Sequence, residues 1–122
     1  MKPLTPLLLY LLLFSPALHS QNTSTRHLKY ETLTINDGLS QGLVNCMLQD
    51  RYGFMWFGTK DGLNRYDGYR FTIFRNDSRD EHSIGGNFIQ TLFEDSRGRL
   101  WVGTLNNGLD IFERETETFI HF

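Results

Sequence analysis

From residue 43 onward the chain runs in short apolar blocks divided by glycine- and aspartate-rich turns, and none keeps a helical period over ten residues. Leu43 to Leu48 carries Val44, Cys46 and Leu48 on one alternating set and Leu43, Asn45 and Met47 on the other. Phe88 to Phe93 does the same with Ile89, Thr91 and Phe93 against Phe88, Gln90 and Leu92. A short run largely apolar on both sides predicts a strand buried on both faces, inside stacked sheets. Asp50-Arg51-Tyr52-Gly53 and Asp95-Ser96-Arg97-Gly98 then predict chain reversals, the aspartate bonding backbone two residues on and glycine supplying positive φ. Further strands are expected at Phe54 to Thr59 and Arg99 to Thr104, at Leu63 to Tyr66 and Leu109 to Phe112, and at Tyr69 to Phe74 and Phe119 to Phe122. Asp67-Gly68 is a two-residue hairpin signal, which Glu113 to Glu117 replaces in the later half. Ahead of these, the alternation of Leu28 to Ile35 predicts one more strand, stopped by Asn36-Asp37-Gly38.

The blocks repeat. GFMWFGTKDGLNRYDG (residues 53–68) recurs as GRLWVGTLNNGLDIFE (98–113). Asp50, Gly53, Trp56, Gly58 and Thr59 match Asp95, Gly98, Trp101, Gly103 and Thr104 at a spacing of 45. After one inserted residue, Gly62 and Leu63 match Gly108 and Leu109 at a spacing of 46. Both tryptophans of the chain therefore hold the same repeat position, where an inter-unit core role is expected, and Gly58 and Gly103 are expected to leave room for a bulky neighbour such as the adjoining unit's indole. Four-stranded antiparallel units of about 45 residues are the module of a β-propeller blade. The predicted fold class is all-β: about two four-stranded blades of an incomplete propeller.

The spacing is that of WD repeats, but the Trp-Asp dipeptide and Gly-His pair are missing. Asp-x-x-Gly-x-x-Trp-x-Gly-Thr followed by Gly-Leu, present twice, resembles instead the two-component regulator propeller repeat. The resemblance covers residues 30 to 122. It implies the exported sensor region of a hybrid two-component system of the Bacteroidetes type, in which the propeller helps recognise a polysaccharide-derived signal and regulates a kinase across the membrane. It also implies that residues 30–40 are a strand completing the last blade of a ring, with blade 1 at 41–84 and blade 2 at 85–122. The further blades, kinase, receiver and DNA-binding domain of such receptors are absent here. The chain is therefore expected to be the N-terminal piece of a longer sensor or the product of a truncated gene, with a self-closing ring of copies as the alternative.

The first twenty residues fit a secretory signal peptide: Lys2, the apolar run Leu7 to Phe14, and small residues before a cut after Ser20. The run is shorter than the roughly 20 residues that cross a bilayer, so an N-terminal anchor is the lesser reading. Residues 21–29 are a polar linker. Export places the chain in the periplasm, with membrane association only through missing C-terminal regions. Removing residues 1–20 takes away one charge, Lys2, and moves the net charge from −2 to −3. A mildly acidic chain without basic clusters offers no footprint for nucleic acid. Cys46, the single cysteine, excludes an intramolecular disulfide and reads as a small core residue.

Catalytic chemistry is sparse. His27, His82 and His121 lie far apart, and no zinc spacing, nucleophile elbow, phosphate loop or His-Glu-x-x-His is present, so neither metal nor cofactor is expected. Asp50 and Asp95 suggest a glycosidase carboxylate pair only until their repeat position is seen; there they are turn-capping residues. Arg75 to Asn87 is the longest polar loop, expected on the same face as the turns Thr59 to Gly62 and Thr104 to Gly108. That face, with Lys60, Asp61, Arg79, Asp80, Glu81, His82, Asn106 and Asn107, is the candidate surface for an oligosaccharide or partner. The expected function is non-catalytic recognition. A polysaccharide-active propeller enzyme and a self-assembling structural repeat are the alternatives.

Overall fold

A computed structural model describes residues 28–122, so the expected signal peptide and most of the linker lie outside the described residues. The chain divides into two units, and the one described here is Glu31–Phe122. Two four-stranded antiparallel sheets build it. Blade 1 comprises β1 (Val44–Gln49), β2 (Met55–Thr59), β3 (Gly62–Tyr66) and β4 (Phe71–Phe74), in the order β1-β2-β3-β4. Blade 2 comprises β5 (Ile89–Glu94), β6 (Leu100–Thr104), β7 (Leu109–Glu113) and β8 (Thr118–His121), in the order β5-β6-β7-β8.

The registers repeat as well. Leu48 pairs with Trp56 and Phe93 with Trp101; the ladder slips between Val44 and Cys46 and again between Ile89 and Thr91. Each slip is a bulge that throws Asn45 or Gln90 out of the pleat. Asn45 uses the freedom to donate its amide to the Ile89 carbonyl at 2.9 Å, joining the two innermost strands.

Because directly paired residues share a face, each blade has two sides. Blade 1 turns Leu48, Trp56, Arg65 and Phe74 to blade 2, and blade 2 answers with Leu92, Leu100, Val102, Phe112 and Phe119. Trp56, Leu63, Ile84, Ile89, Leu100 and Val102 are wholly buried in that seam. Its aromatic centre is Trp56 edge-on to Phe112 at 5.0 Å and stacked on Phe74 at 6.0 Å, with Phe119 5.7 Å from Phe74. Such ring pairs add to the burial of large apolar surfaces. Around it, Arg114 reaches from blade 2 to Asp50 at 2.8 Å, and Arg65 from blade 1 to Glu117 at 2.6 Å.

Four expectations need correction. Leu28 to Ile35 forms no strand. Thr34 instead caps a 3-10 turn, Ile35–Asp37, in a reciprocal box: Asn36 N–H donates to Thr34 Oγ1 (3.2 Å) and Thr34 N–H to Asp37 Oδ2 (2.7 Å). A strand exists by pairing, and no described strand lies beside this segment. Neither innermost strand is buried on both faces: Met47 of β1 is 64% exposed, and on β5 it is Phe93, the counterpart of Leu48, that is 62% exposed. Each blade meets only one neighbour among the described residues. Asp67-Gly68 does not close a two-residue hairpin, since Tyr66 pairs with Phe71. Asp67 Oδ1 accepts from both Tyr69 N–H (2.8 Å) and Arg70 N–H (2.9 Å), and Asp67 N–H donates to the Arg70 carbonyl (3.3 Å), so the tip of the hairpin is Gly68-Tyr69. Finally, Gly58 does leave room for a bulky neighbour from the adjoining blade, but that neighbour is Ile89 and not an indole. A Cβ there would lie 2.4 Å from Cys46 Sγ and 2.7 Å from Ile89 Cγ2. At Gly103 it would meet the Thr91 methyl at 2.4 Å, with nothing from another sheet nearby.

Candidate functional site

The repeated residues account for the blade corners. Asp50 Oδ1 accepts from Tyr52 N–H and Phe54 N–H at 2.9 and 3.0 Å, while Oδ2 accepts from the Trp56 indole at 2.8 Å. Asp95 repeats this with Arg97 N–H, Arg99 N–H and the Trp101 indole at 2.9, 3.0 and 3.0 Å. One carboxylate thus closes the turn and fixes the tryptophan rotamer, while Gly53 and Gly98 take the positive φ the turn requires. Burial alone would raise the Asp50 carboxyl, but the Trp56, Arg114 and Phe54 donors outweigh it and hold the group below its usual value. The Trp101 indole, aided by Arg99 and backbone N–H groups, holds Asp95 well below the usual carboxylate range despite the opposing effect of burial. At the opposite corner, Thr59 Oγ1 accepts from Asp61 N–H at 2.9 Å and donates to the Gly62 carbonyl at 3.2 Å. Thr104 bonds Asn107 N–H and the Gly108 carbonyl at 3.0 and 2.9 Å in the same way. These bonds consume the polar atoms of the motif, leaving it no carboxylate pair for glycoside chemistry.

The connector Arg75 to Asn87 lies against both of those corner turns. Gly62 N–H donates to the Asn87 carbonyl at 2.7 Å, and Arg75 forks onto Asp61 at 3.2 and 3.0 Å. Within the loop, Ser83 Oγ accepts from Asp77 N–H at 2.9 Å and Asn76 donates its amide to the Ile84 carbonyl at 2.8 Å. The deepest anchor comes from β7 and β8. Asp110, wholly buried, accepts from Gly85 N–H at 2.7 Å and bonds His121 Nδ1 at 2.6 Å. The other ring nitrogen of His121 faces the Glu81 carbonyl at 2.9 Å. Both ring nitrogens thus address acceptors, which only the doubly protonated imidazolium satisfies. The Asp110 bond, reinforced by Glu81, raises the His121 pKa against the effect of burial.

Between loop and blade corner lies an open depression of about 350 Å³, lined by Asn76, Asp77, Ser78, Asp80, Glu81, Ser83, Gly85, Asn107 and His121. Of the candidate residues read from sequence, the fold brings Asp80, Glu81 and Asn107 together here. Lys60 sits elsewhere, its ammonium 5.4 Å from the Phe88 ring, and Asp61 is occupied by Arg75. Arg79 folds back on Asp77 at 3.0 Å. His82 lies beside Glu81 at 3.7 Å, next to Phe119 and Ile120, and Asn106 is exposed in its turn away from the depression. Asn76, Asp77, Ser83, Asp110 and His121 are the additions that sequence reading missed. Extending the repeat would have found Asp110: at the spacing of 46 it matches Asn64, which accepts from Ser40 N–H at 2.9 Å as Asp110 accepts from Gly85. Among the described residues, no three His, Cys, Asp or Glu side chains converge on a cation position, and no helix is long and apolar enough to cross a membrane.

Comparison with known proteins matches this architecture. The family model described as two component regulator propeller matches residues 38–61 and 83–106, one segment per blade. A histidine kinase of Formosa agariphila is 41% identical over 73 residues, 60% of this chain and 5% of the kinase. The extracellular domain of a hybrid two-component system from B. thetaiotaomicron superposes with a TM-score of 0.69 at 33% identity, over 75% of this chain and 13% of that one. The extracellular domain of a one-component system from the same organism gives 0.61 at 24% identity over 77% and 14%, a likeness of fold. The chain thus spans a small fraction of each relative's length. Each blade of this chain carries one segment that matches the two-component regulator propeller repeat.

Proposed function

We propose that the chain is a recognition portion of a two-component signalling system, exported to the periplasm, and that it binds an oligosaccharide at the face carrying the Arg75 to Asn87 loop. The observation that carries the reading is the anchoring of this polar loop on both blade corners and on the buried Asp110. A loop fixed to a rigid scaffold can hold hydrogen-bonding groups in place before a ligand arrives. The depression offers carboxylates, side-chain amides and hydroxyls within one small area, the neutral and acidic partners that sugar hydroxyls take. Likeness to the extracellular domain of a hybrid two-component system supports export and signalling. The family resemblance supplies the glycan. In this reading the chain performs no chemistry itself, and residues 30–40 together with further blades complete its ring in a longer receptor.

Calorimetric titration with a panel of neutral and acidic oligosaccharides tests this. Saturable binding is expected, weakened at least about tenfold by Asn107→Ala and Asp80→Ala and unaffected by Arg70→Ala on the far turn. No binding across the panel, or binding insensitive to the first two substitutions, refutes the assignment. Turnover of any glycan would favour a propeller enzyme.

A further inference from the structure

We propose that His121 is a proton-operated latch for the outer lobe of the connector, Asp77 to Ser83: as imidazolium it holds the lobe on β8, and loss of its proton releases it. The proposal concerns the free chain and needs no ligand, so it stands or falls apart from the sensor reading.

The lobe is closed on itself. Asp80 N–H donates to the Asp77 carbonyl at 3.0 Å and Ser83 N–H to the Asp80 carbonyl at 3.1 Å, while Ser83 Oγ donates to the Asp77 carbonyl at 3.0 Å across the neck. Its base is fixed separately. Ile84 is wholly buried, its carbonyl accepts the Asn76 amide, and Gly85 N–H is held by Asp110. Beyond that base, two hydrogen bonds tie the lobe to blade 2 among the described residues. Phe119 N–H donates to the His82 carbonyl at 2.8 Å, and His121 Nε2 meets the Glu81 carbonyl at 2.9 Å. One of the two is therefore made by a titratable ring. Val102 pairs with Asp110 and Asp110 with His121, so both stand on the side of blade 2 that faces blade 1, beneath the loop. The latch lies within the described seam and owes nothing to the outer faces of the two blades.

The proton decides because the ring cannot serve both partners without it. Doubly protonated, it donates to Asp110 Oδ1 at 2.6 Å and to the Glu81 carbonyl. The neutral ring keeps one N–H, and the buried carboxylate, the stronger acceptor, keeps it on Nδ1. The bare Nε2 then faces the Glu81 oxygen, and two acceptors at that distance repel. The Phe119 bond alone is left to hold the lobe. The titratable groups around His121 are Asp110 from β7, and Asp77, Asp80, Glu81 and His82 from the loop. Asp77 is held by Arg79, and His82 carries charge only when protonated. The switch point lies above the usual histidine value of about 6.5, because the Asp110 bond and the Glu81 and Ser83 backbone outweigh burial. Below that point the lobe is docked. Above it the lobe swings about its base, and the wall of the depression formed by Asp77, Ser78, Asp80 and Glu81 moves with it.

Nuclear magnetic resonance of the isotope-labelled whole chain from about pH 5 to about pH 9 tests this. The His121 ring signals give its own titration. Amide exchange, corrected for the intrinsic effect of pH, gives the state of the lobe. Protection of Phe119 N–H should fall about tenfold, the effect of losing one charge-assisted hydrogen bond, with the same midpoint as the ring. The Leu100 and Val102 amides, in the core of blade 2, should keep theirs. His121→Gln should hold Phe119 at low protection throughout, with no step. His82→Gln, which removes the lobe's own titratable ring, should leave the step in place. Protection that stays flat while the wild-type ring titrates overturns the proposal, and that result needs no variant to fold. A step that survives His121→Gln or vanishes in His82→Gln overturns it too, as does a loss shared by Leu100 and Val102, which assigns the transition to blade 2 as a whole.

Discussion

Asp50 shows how much one residue carries. Its carboxylate accepts from two backbone N–H groups, an indole and the Arg114 guanidinium, and its side chain is fully buried. Asp50→Ala would strand these donors and leave Arg114 with Glu94 as its one carboxylate partner. A loss on the order of 2–4 kcal/mol in denaturant unfolding is expected. Asp95→Ala should cost less, because its site is more open to water. His121 gives the opposite pH sign to the aspartates. Its pKa is raised on folding, so its contribution is full below about 6.5 and is lost as pH climbs through the higher folded value. Asp50 and Asp95 are lowered, so theirs is full above about 3.8 and is lost as pH falls. The unfolding midpoint followed against pH should therefore peak in the weakly acidic range. His121→Gln should flatten the alkaline limb and leave the acid limb unchanged.

At the scale of elements, Gly58 predicts a clear asymmetry between the repeats. A methyl there meets Cys46 within its own sheet and Ile89 from the next, both packed. Gly58→Ala should destabilise by roughly 1–3 kcal/mol through overpacking, measured by chemical denaturation. Gly103→Ala meets only the Thr91 methyl and should cost less. Eight strands and their order of turns were legible in the chain because hydrophobic blocks, Asp-x-x-Gly corners and the tryptophans recur at one spacing. What the pattern concealed was dictated by partners. Leu28 to Ile35 alternates like a strand but has no ladder to join, and Thr34 and Asp37 bond locally instead. Both sides of β1 are apolar, yet only one is covered. In the depression, Asp80, Glu81 and Asn107 were recognisable as loop residues. Asp110 and His121 were not, since each looks like an ordinary strand residue until β7 and β8 pair and bring them under the loop.

For the molecule as a whole, one sided architecture organises everything else. The seam around Trp56 makes two blades into one unit, and the corner turns of that unit hold the polar loop. The buried Asp110, tied to both Gly85 and His121, couples loop position to the packing of blade 2. Recognition at this face is the central claim. Amide chemical-shift mapping of the isotope-labelled chain, titrated with the same oligosaccharide panel, tests it most directly. The account predicts saturable shifts confined to residues 76–87, Asn107 and the neighbouring His121 strand. Shifts centred on Trp101 or Met47 with the loop unmoved, or no shifts with any sugar, would contradict it.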